Sequence, residues 1–171
     1  MSGLTIRVLT PNDWALYKSL RLSALQDSPD AFGSTYEQEA IFSDAEWQTR
    51  LDLQARALDA LPLVAEMDGK AVGLAWGLIH AEDLETAHLY QMWTSPALRG
   101  KGIARSLLSE IKAWAAGRGC KHLMLAVTTN NEAAVGLYRA SGFVPTGQLE
   151  ELRAGSSLMV QPMLLALRNA A

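Results

Sequence analysis

The glycine-containing segment Arg99–Arg105 constrains this chain most, because it joins a strand pattern to a helix pattern. Residues 88–94 alternate as a strand does, and residues 106–116 repeat apolar side chains at helical spacing. Glycine tolerates a positive φ and lets a ligand approach the backbone where a Cβ would intervene. The first N–H groups of a helix lack partners within it and lie at the positive end of its dipole. The segment therefore predicts a turn that binds a pyrophosphate, called the phosphate turn (residues 99–105) below.

Residue spacing separates three classes of phosphate-binding turn. A P-loop needs a Gly-Lys pair followed by Ser or Thr, and the sequence has none. A dinucleotide-binding turn needs a third glycine where this chain has Arg105, and an acidic residue that the next strand, 120–125, does not offer. The remaining pattern is Gln/Arg-x-x-Gly-x-Gly/Ala, which Arg99, Gly102 and Ala104 satisfy.

A second motif lies downstream at residues 131–143, which read NEAAVGLYRASGF. Its apolar positions recur at helical spacing, Asn131 stands where a helix is capped, and Gly142 is placed to end the helix in a left-handed conformation. Together and in this order, the two motifs resemble those of the GNAT superfamily of N-acetyltransferases, over residues 89–143. The resemblance implies an α/β fold in which a splayed, mostly antiparallel mixed sheet of six to seven strands carries helices on both faces.

The resemblance also implies acetyl-CoA as the cofactor, held where the sheet opens between strand 88–94 and the parallel strand 123–127. Its pantetheine arm would pair with backbone groups at the end of the first strand, and Asn131 would bind the same arm. We expect no metal. The expected cofactor-binding residues are Met92, Trp93, Thr94, Arg99, Gly100, Lys101, Gly102, Ile103, Ala104, Arg105, Asn131 and Tyr138.

The implied reaction is direct attack of a neutral amine on the acetyl thioester within a ternary complex. A backbone N–H of Met92 or Thr94 would stabilise the oxyanion, and the Tyr138 hydroxyl would donate to the departing sulfur. We expect the Trp93 side chain to pack in the core rather than to contact the cofactor.

The general base stays open at this point, and the candidates are Glu85 and His88, with Glu66 and His80 as further possibilities. An imidazole titrates near pH 6.5, which suits it to accept the proton of an amine. Period-two alternation predicts that His88 shares a face of its strand with Tyr90, Met92 and Thr94.

The acceptor would be a primary amine of a small molecule or peptide. The resemblance implies that the loop between the first two helices and the late strands build its site. The residues concerned are Phe32, Tyr36, Trp76 and the segment 149–157. Two other hypotheses remain: a catalytically silent module that binds acyl-CoA, which would share the phosphate turn, and a nucleotide-binding α/β protein.

Composition limits the remaining classes. The 171 residues suit one domain, 1–171, and the net charge of −3 disfavours a nucleic-acid partner. The longest apolar runs fall short of about 18 residues, which disfavours a membrane span. The single cysteine, Cys120, cannot form an internal disulfide and is expected to fill the core. With no leader-like start, we expect a cytoplasmic protein, and the resemblance implies a homodimer.

Local patterns predict the other elements. Strands are expected at 5–9, 63–66 and 70–79, a helix from Pro11 through Leu25, and another from a capping box at Ser43 to about Leu58. A closing strand pair is expected at 144–149 and 158–167. Pro162 predicts a bulge or an edge within the last strand, because proline removes a ladder donor.

Overall fold

The computed structural model describes residues 3–167, which form a mixed α/β structure around one sheet of eight strands. The sheet order is β1-β2-β3-β4-β5-β8-β6, and β7 also pairs with β8. Every pairing is antiparallel except that of β4 with β5. The strands are β1 (Leu4–Val8), β2 (Asp59–Met67), β3 (Lys70–Ile79), β4 (Thr86–Thr94), β5 (His122–Thr128), β6 (Val144–Pro145), β7 (Glu150–Glu151) and β8 (Met159–Ala166).

Helices cover both faces of this sheet, as the sequence predicted. They are α1 (Trp14–Asp27), α2 (Tyr36–Ala40), α3 (Asp44–Arg50), α4 (Ile103–Gly117) and α5 (Glu132–Ala140). On one face α4 buries Leu107, Leu108 and Ile111 against the sheet. On the other face α1 and α3 bury Tyr17 and Trp47 in a second cluster. No described helix, within 3–167, is long and apolar enough to cross a membrane.

Glycines in β3 let α4 lie close to the sheet. A Cβ at Gly77 would lie 2.7 Å from Trp114 Cζ3, and one at Gly73 would lie 3.2 Å from Ile103 Cγ2. Both distances are shorter than ordinary carbon contacts, so larger residues would push the helix away. The close approach fixes the start of α4, and with it the phosphate turn, against the sheet.

The sheet opens between β4 and β5. The two strands pair over only three positions, from Thr86 with His122 to His88 with Met124. Beyond His88 they diverge, although β4 continues to Thr94 and β5 to Thr128. The predicted splay is confirmed, and it leaves the later backbone of β4 without a strand neighbour on the β5 side.

A bulge at Gln91 makes one sequence prediction wrong. Gln91 has φ +57°, and the register with β3 jumps from Tyr90 opposite Trp76 to Trp93 opposite Leu74. The extra residue reverses the alternation of faces. Tyr90 therefore lies on the α1 face with His88, whereas Met92 and Thr94 lie on the α4 face. These four residues do not share a face.

Several boundaries also differ from the prediction. The helix at Asp44 ends at Arg50, because the chain then turns and begins β2 at Asp59. The short helix Tyr36–Ala40 was not expected, although Thr35 and Gln38 form a capping box at its start. The expected strand 144–149 shrinks to Val144–Pro145.

Pro162 does not interrupt β8, contrary to the prediction of a bulge. It lies opposite Ala126 of β5, and its carbonyl accepts from Thr146 N at 2.9 Å, on the β6 side. In a strand the N and O of one residue point to the same side, so the donor that Pro162 lacks faces β6 and not β5. The ladder with β5 therefore stays continuous.

Candidate active site

A cavity of about 1060 Å³ fills the opening between β4 and β5. One wall is the later part of β4, the other is the later part of β5 with α5, and the phosphate turn closes one side. Its charged lining residues, among those that the structure describes, are Arg21, Arg99 and Arg105, and the lining includes no carboxylate and no histidine. The cavity is therefore electropositive and suits an anionic ligand.

The phosphate turn has the conformation that the sequence predicted. Gly100 and Gly102 have φ of +79° and +84°, and a Cβ at either position would meet no atom within 4 Å. Both line the cavity, so the space above them is open to a ligand. Gly102 is also the N-cap residue of α4, which places the unpaired N–H groups of that helix beside the turn.

Asp27 connects α1 to this side of the cavity. Its carboxylate accepts from Trp93 Nε1 at 3.0 Å and pairs with the Arg99 guanidinium, whose Nε also donates to the Thr94 carbonyl. Burial raises the pKa of Asp27, but hydrogen bonds from Ser28, Trp93 and Arg99 outweigh it, and the net pKa lies below the usual value. Arg99 is therefore held in place at the cavity edge, and the Trp93 side chain is buried in the core.

Helix α5 supplies the opposite wall. Asn131 caps the helix, with Oδ1 accepting from Ala134 N at 3.2 Å, and Gly142 follows it with φ +100°. Tyr138 is 6% exposed and lines the cavity with Asn131 and Leu137. Burial raises the pKa of the Tyr138 phenol, so its hydroxyl stays protonated and is suited to donate a hydrogen bond.

The structure does not bring Glu85 or His88 to the described lining of the cavity. Glu85 precedes β4, is exposed, and pairs with Lys121 at 3.1 Å. It stands four residues before Leu89, the first β4 residue of the cavity lining, or about 13 Å along the strand. Burial lowers the pKa of His88, as does nearby His80.

Tyr90 is the residue that connects the histidines to the cavity. It lines the cavity, and its hydroxyl lies 3.0 Å from His80 Nε2. The His88 ring stacks on the Tyr90 ring, with centroids 5.8 Å apart. Glu66, the remaining candidate base, pairs with Arg7 at 2.7 Å on β1. Tyr90 therefore links the cavity lining to His80 through one hydrogen bond.

Some of the other predicted residues line the cavity and some do not. Phe32 lines it. Trp76 is buried in the cluster that contains Tyr17 and Trp47, and Tyr36 and Lys101 are not among the lining residues described. The predicted cofactor-binding residues that the structure does bring to the cavity are Met92, Trp93, Thr94, Arg99, Gly100, Gly102, Ile103, Ala104, Arg105, Asn131 and Tyr138.

Arg21 lines the cavity and was not expected from the sequence. It is 4% exposed and pairs with Glu39 through Nε at 3.1 Å and Nη2 at 2.9 Å. Glu39 also accepts from Arg50 Nη1 at 2.8 Å. Burial raises the pKa of Glu39, but the two guanidinium groups lower it to about 2. The available signal was an arginine among the apolar positions of α1.

Comparison with known proteins agrees with this geometry. The acetyltransferase (GNAT) family profile matches residues 21–143. An L-2,4-diaminobutyric acid acetyltransferase from Nocardia farcinica is 28% identical over 111 residues, which are 65% of this chain and 53% of that protein. The chain thus spans about half the length of this curated relative.

Two solved structures share the fold over nearly their whole length. A GNAT-family acetyltransferase from Streptococcus pneumoniae has a TM-score of 0.81 at 25% identity, over 96% of this chain and 99% of that one. Spermidine N-acetyltransferase from Vibrio cholerae, in complex with CoA and spermine, has a TM-score of 0.79 at 22% identity, over 99% and 98%. The family profile, together with the splayed sheet and the phosphate turn, shows that this chain belongs to the acetyltransferase (GNAT) family.

Proposed function

We propose that the protein is an acetyl-CoA-dependent N-acetyltransferase that acts on a primary amine of a small molecule or peptide. One observation carries the proposal: a single cavity joins the glycine turn at the start of α4 to the Tyr138 side chain through the opening between β4 and β5. A ligand with a diphosphate at one end and a thioester at the other matches that arrangement. The N. farcinica relative, named a diaminobutyric acid acetyltransferase, and the V. cholerae structure, named a spermidine N-acetyltransferase, support it.

The chain's own residues would bind the cofactor in three parts. Backbone N–H groups of residues 100–105 would hold the diphosphate, with Arg105 and Lys101 adding positive charge. The later backbone of β4, at Met92 and Thr94, would pair with the amides of the pantetheine arm as a substitute strand. Asn131, whose Oδ1 is engaged in the helix cap, would donate to the same arm through Nδ2.

The chemistry would then proceed by direct attack. The neutral amine nitrogen forms a bond to the thioester carbon, and a backbone N–H of Met92 or Thr94 stabilises the resulting oxyanion. Collapse breaks the C–S bond, and Tyr138 donates a hydrogen bond to the sulfur that leaves. The ammonium proton passes to the Tyr90 oxygen while the Tyr90 hydroxyl proton passes to His80 Nε2. We assign no catalytic role to Glu85, and His88 would position the Tyr90 ring.

The test measures thiol release from acetyl-CoA over a panel of amines. We expect amine-dependent release, and we expect Tyr138→Phe to lower kcat by about 10- to 100-fold with CoA affinity unchanged, since a charge-assisted hydrogen bond is worth about 1.5–3 kcal/mol. Tyr36→Phe is the matched control, because Tyr36 is not among the described lining residues. Equal effects of the two changes would refute the role of Tyr138.

A silent acyl-CoA-binding module is the second candidate. The observation that favours it is that no carboxylate or histidine lines the described part of the cavity. Tight CoA binding with no thiol release on any amine would establish the module and refute the enzyme.

Three expectations stay predictions: that residues 1–171 act as one domain, that the protein forms a homodimer, and that it is cytoplasmic. Analytical ultracentrifugation checks the second of these.

A further inference from the structure

Arg21 carries a hydrogen-bond donor that the described protein does not use. The residue lies on α1 and lines the cavity, and its side chain is 5% exposed. Nε and Nη2 both bind Glu39, whereas Nη1 is buried and has no hydrogen-bond partner among residues 3–167. An unsatisfied buried donor is costly, and a ligand atom that accepts from Nη1 would remove that cost.

The charges around Arg21 do not balance. Among residues 3–167, Glu39 is the one carboxylate that pairs with the Arg21 and Arg50 guanidinium groups, and its side chain is 2% exposed. The low pKa of Glu39 keeps it ionised, so the three groups together carry a net charge of +1. The Phe32 ring lies 4.8 Å from the Arg21 guanidinium carbon, but a ring does not neutralise the charge. A buried cation of this kind favours an anionic ligand.

The position of Arg21 separates it from the phosphate turn. Asp27, which holds Arg99, lies six residues further along α1, or about 9 Å along the helix axis. One turn before Arg21, the Tyr17 hydroxyl donates to Gln91 Oε1 at 2.8 Å, so this part of α1 reaches the bulge in β4. Phe32, Gly33 and Leu152 form the cavity wall beside it. This is the side of the cavity that the diphosphate would leave free for the acceptor.

We propose that Arg21 binds the carboxylate of the acceptor, so that the acceptor is an amino acid or another amino-carboxylate rather than a polyamine. The inference rests on the proposed acetyltransferase function and adds its substrate class. All charged residues of the described lining are arginines, so no carboxylate there would attract a polycation. Because Nη1 is itself buried, the wall at Phe32 must shift slightly when the carboxylate enters. The guanidinium then donates to a carboxylate oxygen.

The experiment compares amino acids with their decarboxylated counterparts as acceptors of the wild-type protein. The pairs are L-2,4-diaminobutyric acid with 1,3-diaminopropane, L-ornithine with putrescine, and L-lysine with cadaverine. We expect kcat/KM of at least one amino acid to exceed that of its counterpart about 10- to 100-fold, as one charge-assisted hydrogen bond allows. Diamines that are acetylated as well as the amino acids would overturn the inference and leave the acetyltransferase function standing. Turnover of no amine at all would overturn both.

Two methionine variants provide the matched control. Arg21→Met and Arg50→Met each remove one guanidinium from the same Glu39, but only Arg21 is among the described lining residues. We expect Arg21→Met to raise KM for the amino acid about 10- to 100-fold, with KM for acetyl-CoA and for the diamine unchanged. Arg50→Met should keep the preference. Equal loss of the preference for the amino acid in both variants would contradict a direct contact of Arg21 with its carboxylate. If Arg21→Met does not fold, the comparison of acceptors with the wild-type protein decides.

Discussion

The phosphate turn offers the sharpest test of the cofactor site, because two glycines at opposite ends of α4 share one backbone conformation. Gly102 has φ +84° and Gly119 has φ +82°, and a Cβ at either position would meet no atom within 4 Å. An alanine at either position therefore costs stability through the backbone alone, by about 1–2 kcal/mol. We expect Gly102→Ala and Gly119→Ala to lower the free energy of unfolding in urea by similar amounts.

Their effects on CoA binding should differ. Gly102 lines the cavity and Gly119 does not, among the residues described. A Cβ at Gly102 would hold the diphosphate away from the backbone and weaken one charge-assisted N–H bond, worth about 1.5–3 kcal/mol. We expect the Kd for CoA, measured by isothermal titration calorimetry, to rise about 10- to 100-fold in Gly102→Ala and to stay unchanged in Gly119→Ala.

Pantetheine provides a second control, because it lacks the diphosphate. Its affinity should be the same in the wild type and in Gly102→Ala. If CoA and pantetheine lose affinity equally, the substitution acts through the fold of the cavity and not through the diphosphate. If Gly102→Ala binds CoA as the wild type does, backbone recognition at this turn is refuted.

Three further predictions concern stability. Gly77→Ala should destabilise the fold by about 1–3 kcal/mol, because its Cβ would lie 2.7 Å from Trp114. Gly136 is exposed on α5, so Gly136→Ala should stabilise the fold by about 0.5–1 kcal/mol. Urea unfolding checks both. The pKa of Glu39 falls from an ordinary 4.5 to about 2 on folding, so its contribution is complete above pH 4.5 and is lost as the pH drops towards 2. Thermal unfolding between pH 5 and 2 should show a shallower loss for Glu39→Gln, and an unchanged slope would contradict the buried pair.

Short-range patterns predicted the parts of the site that depend on neighbours in the chain. The glycine turn, the Asn131 cap and the end of α5 at Gly142 each rest on residues a few positions apart. Their backbone requirements are local, so residue type and spacing were enough. The splay of the sheet came from the family resemblance, since no local pattern states which strands diverge.

The residues that the sequence could not place depend on long-range contacts. Arg21 and Glu39 are 18 positions apart, and only the packing of α1 against α2 brings them together. His88 met the criteria for a base by chemistry and alternation, but burial against His80 and Tyr90 keeps it out of the described cavity lining. Glutamine has no preference for a positive φ, so nothing local marked the bulge at Gln91.

The Gln91 bulge shows how α1 supports both ends of the proposed reaction. A glutamine at φ +57° is strained, and such strain persists only where surrounding contacts hold it. The contact here is the hydrogen bond from the buried Tyr17 hydroxyl to Gln91 Oε1. Without the bulge, Met92 and Thr94 would stay on the α1 face, and the backbone proposed to meet the thioester would point differently. Because Tyr17 and Arg21 lie one turn apart on α1, the same helix that would bind the acceptor also fixes the strand that would hold the cofactor.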